Sequence, residues 1–480
     1  MAMRRGKPRL EYAHYTVGVS GRAIEGQDSD TPAPTHKSPQ LPSGAEPTRL
    51  GPLIAKANHS LKETTPSDPA SSPRPRGLSH ASYYPLIIVG LAVLSHGGFS
   101  LSGQGFTPFY PFIQDEFVLT RTQVGFVSGA IYGAATFTSA GFGWAVDRLG
   151  VRLVGGALMI VSGFVVMSMY FASSFWMVLL VGAAMGALRP AGHPAGARAI
   201  MDWIGKERRG TAMSVKQAGN PALSALAALA VPPLAVAFGW RIAAVALGGF
   251  IATAGLVIVM LYRERPTATR KTKESISFFK GMGQVMRDKQ ITMAIIFGFP
   301  LVGAQVATLT YFILFLKDEL GVSVLVAGGL LAILQVSSIV MRIGWGVISD
   351  TLGGGRRKPV LLVSGLATAA VLFALALLPG DTPYWALVLV AIALGATATS
   401  WVSVHTVLLA ELSGPGRVGT TVGYASALQR MSIVITPPIF GFLADQSGYQ
   451  TAWFALSGVI LVGMLMLTQV REGNRRHEEA

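Results

Sequence analysis

The chain has 480 residues, of which 51% are hydrophobic and 13% charged, roughly half the charged share of a soluble globular protein. Such a chain cannot solvate its surface in water, so the composition points to a membrane. There is no cysteine, which excludes disulfides, a thiol nucleophile and cysteine-ligated metals, and the net charge of +15 is distributed by topology rather than as a nucleic-acid surface.

Residues 1–82 are rich in proline, serine, threonine and charge and contain no sustained apolar run, so a disordered cytoplasmic tail is expected there. Leu10 to Ser20 is too broken by Glu11, His14 and Gly18 to act as a secretory signal. From Tyr84 onward, apolar stretches of roughly 20 residues, enough to cross a bilayer, follow one another with short polar breaks. The expected spans are 85–112, 123–146, 153–172, 175–200, 211–237, 241–262, 291–316, 323–349, 359–379, 384–411, 419–444 and 450–470. Runs such as Leu361 to Leu378 lack the alternation of barrel strands. The expected fold is therefore an all-α membrane protein with twelve transmembrane helices.

The longest break separates an N-terminal six-helix bundle (83–262) from a C-terminal one (291–470), joined by a cytoplasmic linker over 263–290 and followed by a cytoplasmic tail over 471–480. In the linker, Ser275 to Lys289 is a candidate amphipathic helix on the inner leaflet, with a plain solvated linker as the alternative. The tails and the even-to-odd loops carry about 31 of the 39 Lys and Arg, whereas the opposite loops carry Arg121, Arg241 and Lys317, so both termini are expected in the cytoplasm. The halves echo each other about 200 residues apart, which predicts a pseudo-repeat. Gly143-Trp144 before Asp147 recurs as Gly344-Trp345 before Asp350, and Gly210-Thr211 with Pro232-Pro233 recurs as Gly419-Thr420 with Pro437-Pro438.

The turn between the second and third spans contains Gly143, Asp147, Arg148, Gly150 and Arg152. An aspartate there can pair with a neighbouring arginine or cap a helix, and Gly150 permits a tight turn. A looser second copy contains Gly346, Asp350 and Gly353 followed by Arg356 and Arg357, with Thr351 in place of the basic residue. This pattern resembles the loop signature of the major facilitator superfamily, and the resemblance covers about Tyr84 to Val470. It implies a secondary transporter in which two bundles rock about a central site while the Asp147 region helps to hold a gate. A loop staple without gating is the alternative reading. Arg189 to Lys216 with Gly414 to Gly448 is similar to bacterial permeases for small anions, including cyanate-permease-like members. Arg342 with Arg430 is similar to the cation pair of the oxalate/formate exchanger group. Two departures weigh against other subtypes. The exporters' antiporter signature is broken at Gly219-Asn220-Pro221-Ala222, and the arginine of nitrate permeases is missing from Gln123 to Val146.

Ionisable residues inside the spans are His96, Arg189, His193, Arg198, Lys216, Arg342, His405 and Arg430. A cation at the bilayer centre costs about 2.5 to 3.5 kcal/mol on insertion scales, so each requires a partner, a wet cavity or a substrate. Arg198 and Lys216 lie about a turn from the cytoplasmic ends and are expected to snorkel. Arg189 and His193 share a helix face, beside the helix-weakening Pro190, Gly192 and Pro194, which suggests locally opened backbone at a binding site. No Asp or Glu falls near a span centre. A positive cavity suits a carboxylate or similar oxyanion, which arginine binds bidentately. The candidate substrate-binding residues are Arg189, His193, Arg430, His96, Gln104, Asn220, Gln335, Arg342 and His405, although the histidines and amides also serve as packing groups.

These observations define a non-enzymatic permease of the bacterial inner membrane that carries a small organic anion, a mono- or dicarboxylate, by alternating access as a monomer. Its partners are the substrate, the bilayer and protons, for which His96 or His193 is the mid-membrane group that titrates near neutral pH. It binds no metal, cofactor or nucleic acid. Two alternatives stay open: an exporter of a hydrophobic or weakly acidic compound, and a transporter-like ligand sensor.

Overall fold

A computed structural model describes residues 83–265, 287–352, 355–413 and 418–471. The expected N-terminal tail, most of the linker with its candidate amphipathic helix, and the C-terminal tail lie outside these residues. Within them the secondary structure is helical throughout: α1 Tyr84–Leu101, α2 Tyr110–Phe117, α3 Arg121–Val151, α4 Leu158–Met167, α5 Phe175–Leu188, α6 Gly192–Trp203, α7 Arg209–Phe238, α8 Trp240–Leu261, α9 Lys289–Asp318, α10 Val324–Asp350, α11 Lys358–Ala376, α12 Tyr384–Thr397, α13 Val402–Ser413 and α14 Val418–Thr468.

The helix starts are specified locally. Thr120 and Gln123 form a reciprocal capping box ahead of α3, and Ser174, Asp288 and Ser323 cap α5, α9 and α10 with their side chains, satisfying backbone N–H groups that have no partner within the helix. Glycine sets two breaks. Gly150 (φ 85°) interrupts helical geometry within α3, and Gly448 (φ 79°) does so within α14, a conformation that costs glycine little. Among the described residues, ten helical stretches are long and apolar enough to cross a membrane, and two of these, Gly141–Phe171 and Thr421–Thr468, run through those breaks.

Other breaks fall inside predicted spans. α1 gives way at Ser102 to a 3₁₀ segment, Gln104–Phe109, before α2 resumes. A three-residue 3₁₀ turn, Arg189–Ala191, separates α5 from α6, and Ala398–Trp401 separates α12 from α13. Pro190 lies in the Arg189–Ala191 turn, where its missing N–H cannot continue a regular ladder.

The helices pack in recurring pairs. α1 packs on α7 and α6, α3 on α5, and α4 on α8, while α9 packs on α14, α10 on α12, and α11 on α14. Two further contacts, α3 along α14 and α7 along α10, join the residues before the linker to those after it. Apolar side chains remain exposed around the outside, among them Phe137, Trp176, Leu180 and Met260, as expected for surface that meets lipid rather than water.

Candidate functional site

The break between α5 and α6 opens onto a cavity of about 430 Å³ enclosed by α1, α3, α6, α7 and α14. His96 and Ser100 reach it from α1, Arg189 and Pro190 from the α5–α6 break, and His193 from α6. Asn220 enters from α7, Arg430 and Ile433 from α14, and Tyr132, Thr136, Ser139 and Gly143 from α3. None of the lining residues is acidic. Five of the nine candidate binding residues therefore line one space: His96, Arg189, His193, Asn220 and Arg430.

Their geometry is defined. The Arg189 guanidinium carbon lies 4.9 Å from the centre of the Tyr132 ring, within cation–π range. Its Nε is buried without a hydrogen-bond partner. A Cβ on the adjacent Gly103 would stand 2.9 Å from that Nε, so any larger residue there would displace the Arg189 side chain. The His96 and His193 rings meet edge to face at 5.3 Å and 77°. Behind them, Lys216 donates from Nζ to the His193 carbonyl at 3.3 Å. Lys216 is only 1% exposed, so it does not snorkel to the interface as its depth suggested. It points inward because α7 packs on α1 and brings the ammonium to the backbone of α6. Among the described residues, Arg189, Lys216 and Arg430 take part in none of the ion pairs. The buried charge here is positive and lacks a carboxylate partner.

The other four candidates lie elsewhere. Gln104 opens the 3₁₀ segment after α1, where its carbonyl accepts from the Thr107 hydroxyl. Gln335 is buried on α10. Arg342 donates from Nη2 to the Thr399 carbonyl at 3.1 Å, in the α12–α13 break. His405 sits within 2.9 Å of the Ala294 carbonyl and 3.4 Å of the Gln429 amide, with its ring 5.3 Å from that of Trp401, so it ties α13 to α9 and α14. Thr136, Ser139 and Ser100 were missed by the sequence reading. They were legible as a stripe, because Tyr132, Thr136, Ser139 and Gly143 recur at helical spacing along an apolar span, and Ser100 lies one turn from His96.

The loop motif is arranged differently from expectation. Asp147 pairs with Arg198 of α6 at 2.8 Å, not with its neighbouring arginines, and Arg198 also meets Asp202 at 3.4 Å. Arg148 instead stacks over Trp144, 5.5 Å from the ring centre. Arg152 donates from its backbone N–H to Glu264 at 2.6 Å and from Nε to the Val259 carbonyl at 2.7 Å. In the second copy Asp350 pairs with Arg357, which also contacts Glu411 of α13 at 3.4 Å. Arg356 contributes a carbonyl that accepts from Ser349. Gly143 and Gly346 have open space where a Cβ would stand, so neither is needed for close packing in this conformation.

A second cluster ties the start of α3 to α9 and α14. Asp445 accepts from the Arg121 and Thr122 backbone N–H groups at 2.9 and 2.8 Å and from the Thr122 hydroxyl at 2.5 Å. Arg121 donates to the Ala444 carbonyl at 2.7 Å and lies 4.1 Å from the centre of the Tyr449 ring. The Tyr311 hydroxyl reaches the Arg121 and Pro437 carbonyls at 2.9 and 2.7 Å. Lys317 pairs with Asp115 close by.

Comparison with known proteins identifies the class. A sequence model of the Major Facilitator Superfamily matches residues 92–356 and 345–480. The chain belongs to that superfamily, and it is a membrane transporter of a small molecule rather than an enzyme. An uncharacterised MFS-type transporter of Mycobacterium tuberculosis (strain H37Rv) is 27% identical over 394 residues, covering 80% of this chain and 84% of that one. The hexuronate transporter of Bacillus subtilis (strain 168) is 26% identical over 372 residues, covering 73% and 86%. In structure, the nucleoside transporter NupG superposes with a TM-score of 0.67 at 16% identity, covering 82% of this chain and 100% of that one. That likeness shows the shared fold.

Proposed function

We propose that this protein carries a small organic anion, a mono- or dicarboxylate, across the bacterial inner membrane by alternating access. The observation that carries the proposal is the cavity in which Arg189 and Arg430 face the same space with His96 and His193 and no acidic residue. Two guanidinium groups can each offer paired N–H donors to a carboxylate, and the bound anion supplies the countercharge that these cavity-lining arginines lack. Asn220 and the Ser100, Thr136 and Ser139 hydroxyls orient the remaining polar groups of the ligand. Transport of hexuronate by the Bacillus subtilis relative supports an organic acid. Protons accompany the anion through the His96–His193 pair, which sits against the cavity wall. Arg342, His405, Gln335 and Gln104 join the path only if the halves rearrange about it.

The framework of this proposal is twelve spans in two six-helix halves. Thr421–Thr468 has 48 residues, about 70 Å of helix at 1.5 Å per residue and more than twice a hydrocarbon core of about 30 Å. Reversal of the chain at Gly448 and at Gly150 resolves that excess and raises ten spans to twelve. The matched pairings α1–α7 with α9–α14, α3–α5 with α10–α12, and α4–α8 with α11–α14 support a repeat. With both termini in the cytoplasm, the Arg121–Asp445 cluster closes the external end, and the cavity opens toward the end where Gly143 lies. The Asp147–Arg198 and Asp350–Arg357 pairs then sit at the cytoplasmic end as gate elements.

The test is uptake and binding of a panel of carboxylates by Arg189→Gln and Arg430→Gln at matched membrane abundance. Loss of both with normal insertion is the expected result, and wild-type binding by both variants overturns the anion site.

A further inference from the structure

The central cavity offers a ligand two kinds of polar partner. Arg189 and Arg430 present N–H groups and no acceptor. The hydroxyls that line the same space do the opposite. Ser100 Oγ donates to the His96 carbonyl, Thr136 Oγ1 to the Tyr132 carbonyl and Ser139 Oγ to the Thr136 carbonyl, each at 2.9 Å. A carbonyl only accepts, so each of these bonds uses the hydroxyl proton and leaves the oxygen lone pairs for the cavity. To donate to a ligand, a hydroxyl would have to give up the bond it already makes. Asn220, which lines the same space from α7, carries an amide oxygen with no hydrogen-bond partner in the protein.

A carboxylate carries acceptors only. It matches the two arginines and gives the hydroxyls nothing to accept, so the donors must come from elsewhere on the ligand. An ammonium has them, but it brings a positive charge into a space already lined by two guanidinium groups. Neutral hydroxyls donate without that repulsion. Because the acceptors stand on α1, α3 and α7, a single hydroxyl does not serve them all.

We propose, on the basis of the anion site above, that the ligand is a hydroxylated carboxylate, an acid with several hydroxyl groups along its carbon chain. Its carboxylate lies toward Arg189 and Arg430, and its hydroxyls donate to Ser100, Thr136, Ser139 and Asn220. Each neutral hydrogen bond of this kind is worth about twofold to tenfold in affinity, so an acid stripped of its hydroxyls should bind at least about tenfold more weakly.

The test is isothermal titration of the purified full-length protein in neutral detergent with matched probes: glycerate against propionate, gluconate against hexanoate, and glucarate against adipate, with sorbitol and 6-aminohexanoate beside them. The hydroxylated member of the best-bound pair is expected to bind at least about tenfold tighter than its partner, and sorbitol, which has the hydroxyls and no charge, at least about tenfold more weakly than gluconate. Thr136→Val/Ser139→Ala keeps the approximate shape and removes two acceptors, so it should lower the ratio of gluconate to hexanoate affinity severalfold, whereas Thr136→Ser/Ser139→Thr should keep it. Melting of the Val/Ala variant without ligand separates a lost ratio from misfolding, and the wild-type pairs decide the matter even where that variant misfolds. Hexanoate, adipate or 6-aminohexanoate binding as tightly as the hydroxylated acids overturns the hydroxyl assignment and leaves the anion site standing, and an unchanged ratio in a folded Val/Ala variant overturns the named acceptors. Sorbitol binding as tightly as gluconate overturns the anion site itself, as does the failure of every acid to bind.

Discussion

Arg189 and Arg430 approach the same cavity from opposite sides of the linker in sequence, and the anion reading turns on them. Each should supply charge-assisted hydrogen bonds worth about 1.5 to 3 kcal/mol, so Arg→Gln at either position should weaken binding by roughly 10- to 100-fold. Arg→Lys should cost less, because it keeps the charge and loses only the planar fork. Equilibrium binding of a radiolabelled carboxylate checks the order. A different residue-scale prediction concerns Glu116, which lies beyond the apolar stretch of α1. Partial burial pushes its carboxyl up, but hydrogen bonds from Trp240 Nε1 at 2.5 Å and from Arg241 outweigh that and hold it below the usual carboxylate range. A lowered folded value means that the stabilisation is present above the unfolded value of about 4.3 and is lost as pH falls through the folded one. The melting temperature should therefore fall on acidification below about pH 4, and Glu116→Gln should flatten that part of the profile. An unchanged slope in the variant would remove Glu116 from the account.

At the scale of elements, two aspartates in related positions hold helix ends together. Asp147 reaches from α3 to Arg198 of α6, and Asp350 at the end of α10 reaches Arg357, which in turn contacts Glu411 of α13. Both pairs are partly exposed, so they contribute little to stability, and under the proposed gating role their effect falls on the relative motion of the helices they join. Asp147→Asn keeps the shape and removes the charge. It should leave the melting temperature within about 2 °C of wild type and slow uptake, as measured in vesicles at matched abundance. Wild-type flux would reduce the contact to a staple. Gly150 makes a sharper demand. At φ 85° any side chain is strained, and a Cβ would stand 2.5 Å from Glu264 Oε1, so Gly150→Val should cost about 1 to 3 kcal/mol. The Glu264 carboxylate accepts from the Arg152 backbone at the same place, which ties the turn to the segment that follows α8.

For the whole molecule, the cluster around Arg121 and Asp445 ties the start of α3 to α9 and α14, and the proposed framework makes it the closure of the external end. Asp445→Ala leaves the Arg121 and Thr122 N–H groups without their acceptor and should shift the population toward external opening. Cysteine labelling at Ser128 from outside, on the cysteine-free background, should rise severalfold. Labelling unchanged from wild type would show that the cluster is not a closure. Topology is open to direct test as well. Reporters fused after Gly380 and near Phe238 should read as external, and those at Arg270 and the C-terminus as cytoplasmic. A cytoplasmic signal at Gly380 would refute the twelve-span arrangement.

The sequence by itself determined that this is a helical membrane protein and a member of its superfamily, because both depend on local quantities: apolar runs of bilayer length from Tyr84 onward and a loop pattern around Asp147. Residue depth also narrowed the site, since a cation far from either end of a span stands out in one dimension. Which cations share a space was decided only in three dimensions. Arg189, Arg430 and the His96–His193 pair meet because α1, α6 and α14 pack around one cavity, whereas Arg342 and His405, also inside predicted spans, turn to Thr399 and Ala294. Lys216 shows the limit most clearly. Its distance from a helix end suggested a side chain reaching for water, yet the face of α7 on which it lies packs on α1, and the ammonium is buried at the His193 carbonyl. Position along a helix fixes depth, and rotation about the helix axis fixes partners. The second is set by packing between segments far apart in the chain, which no local pattern encodes.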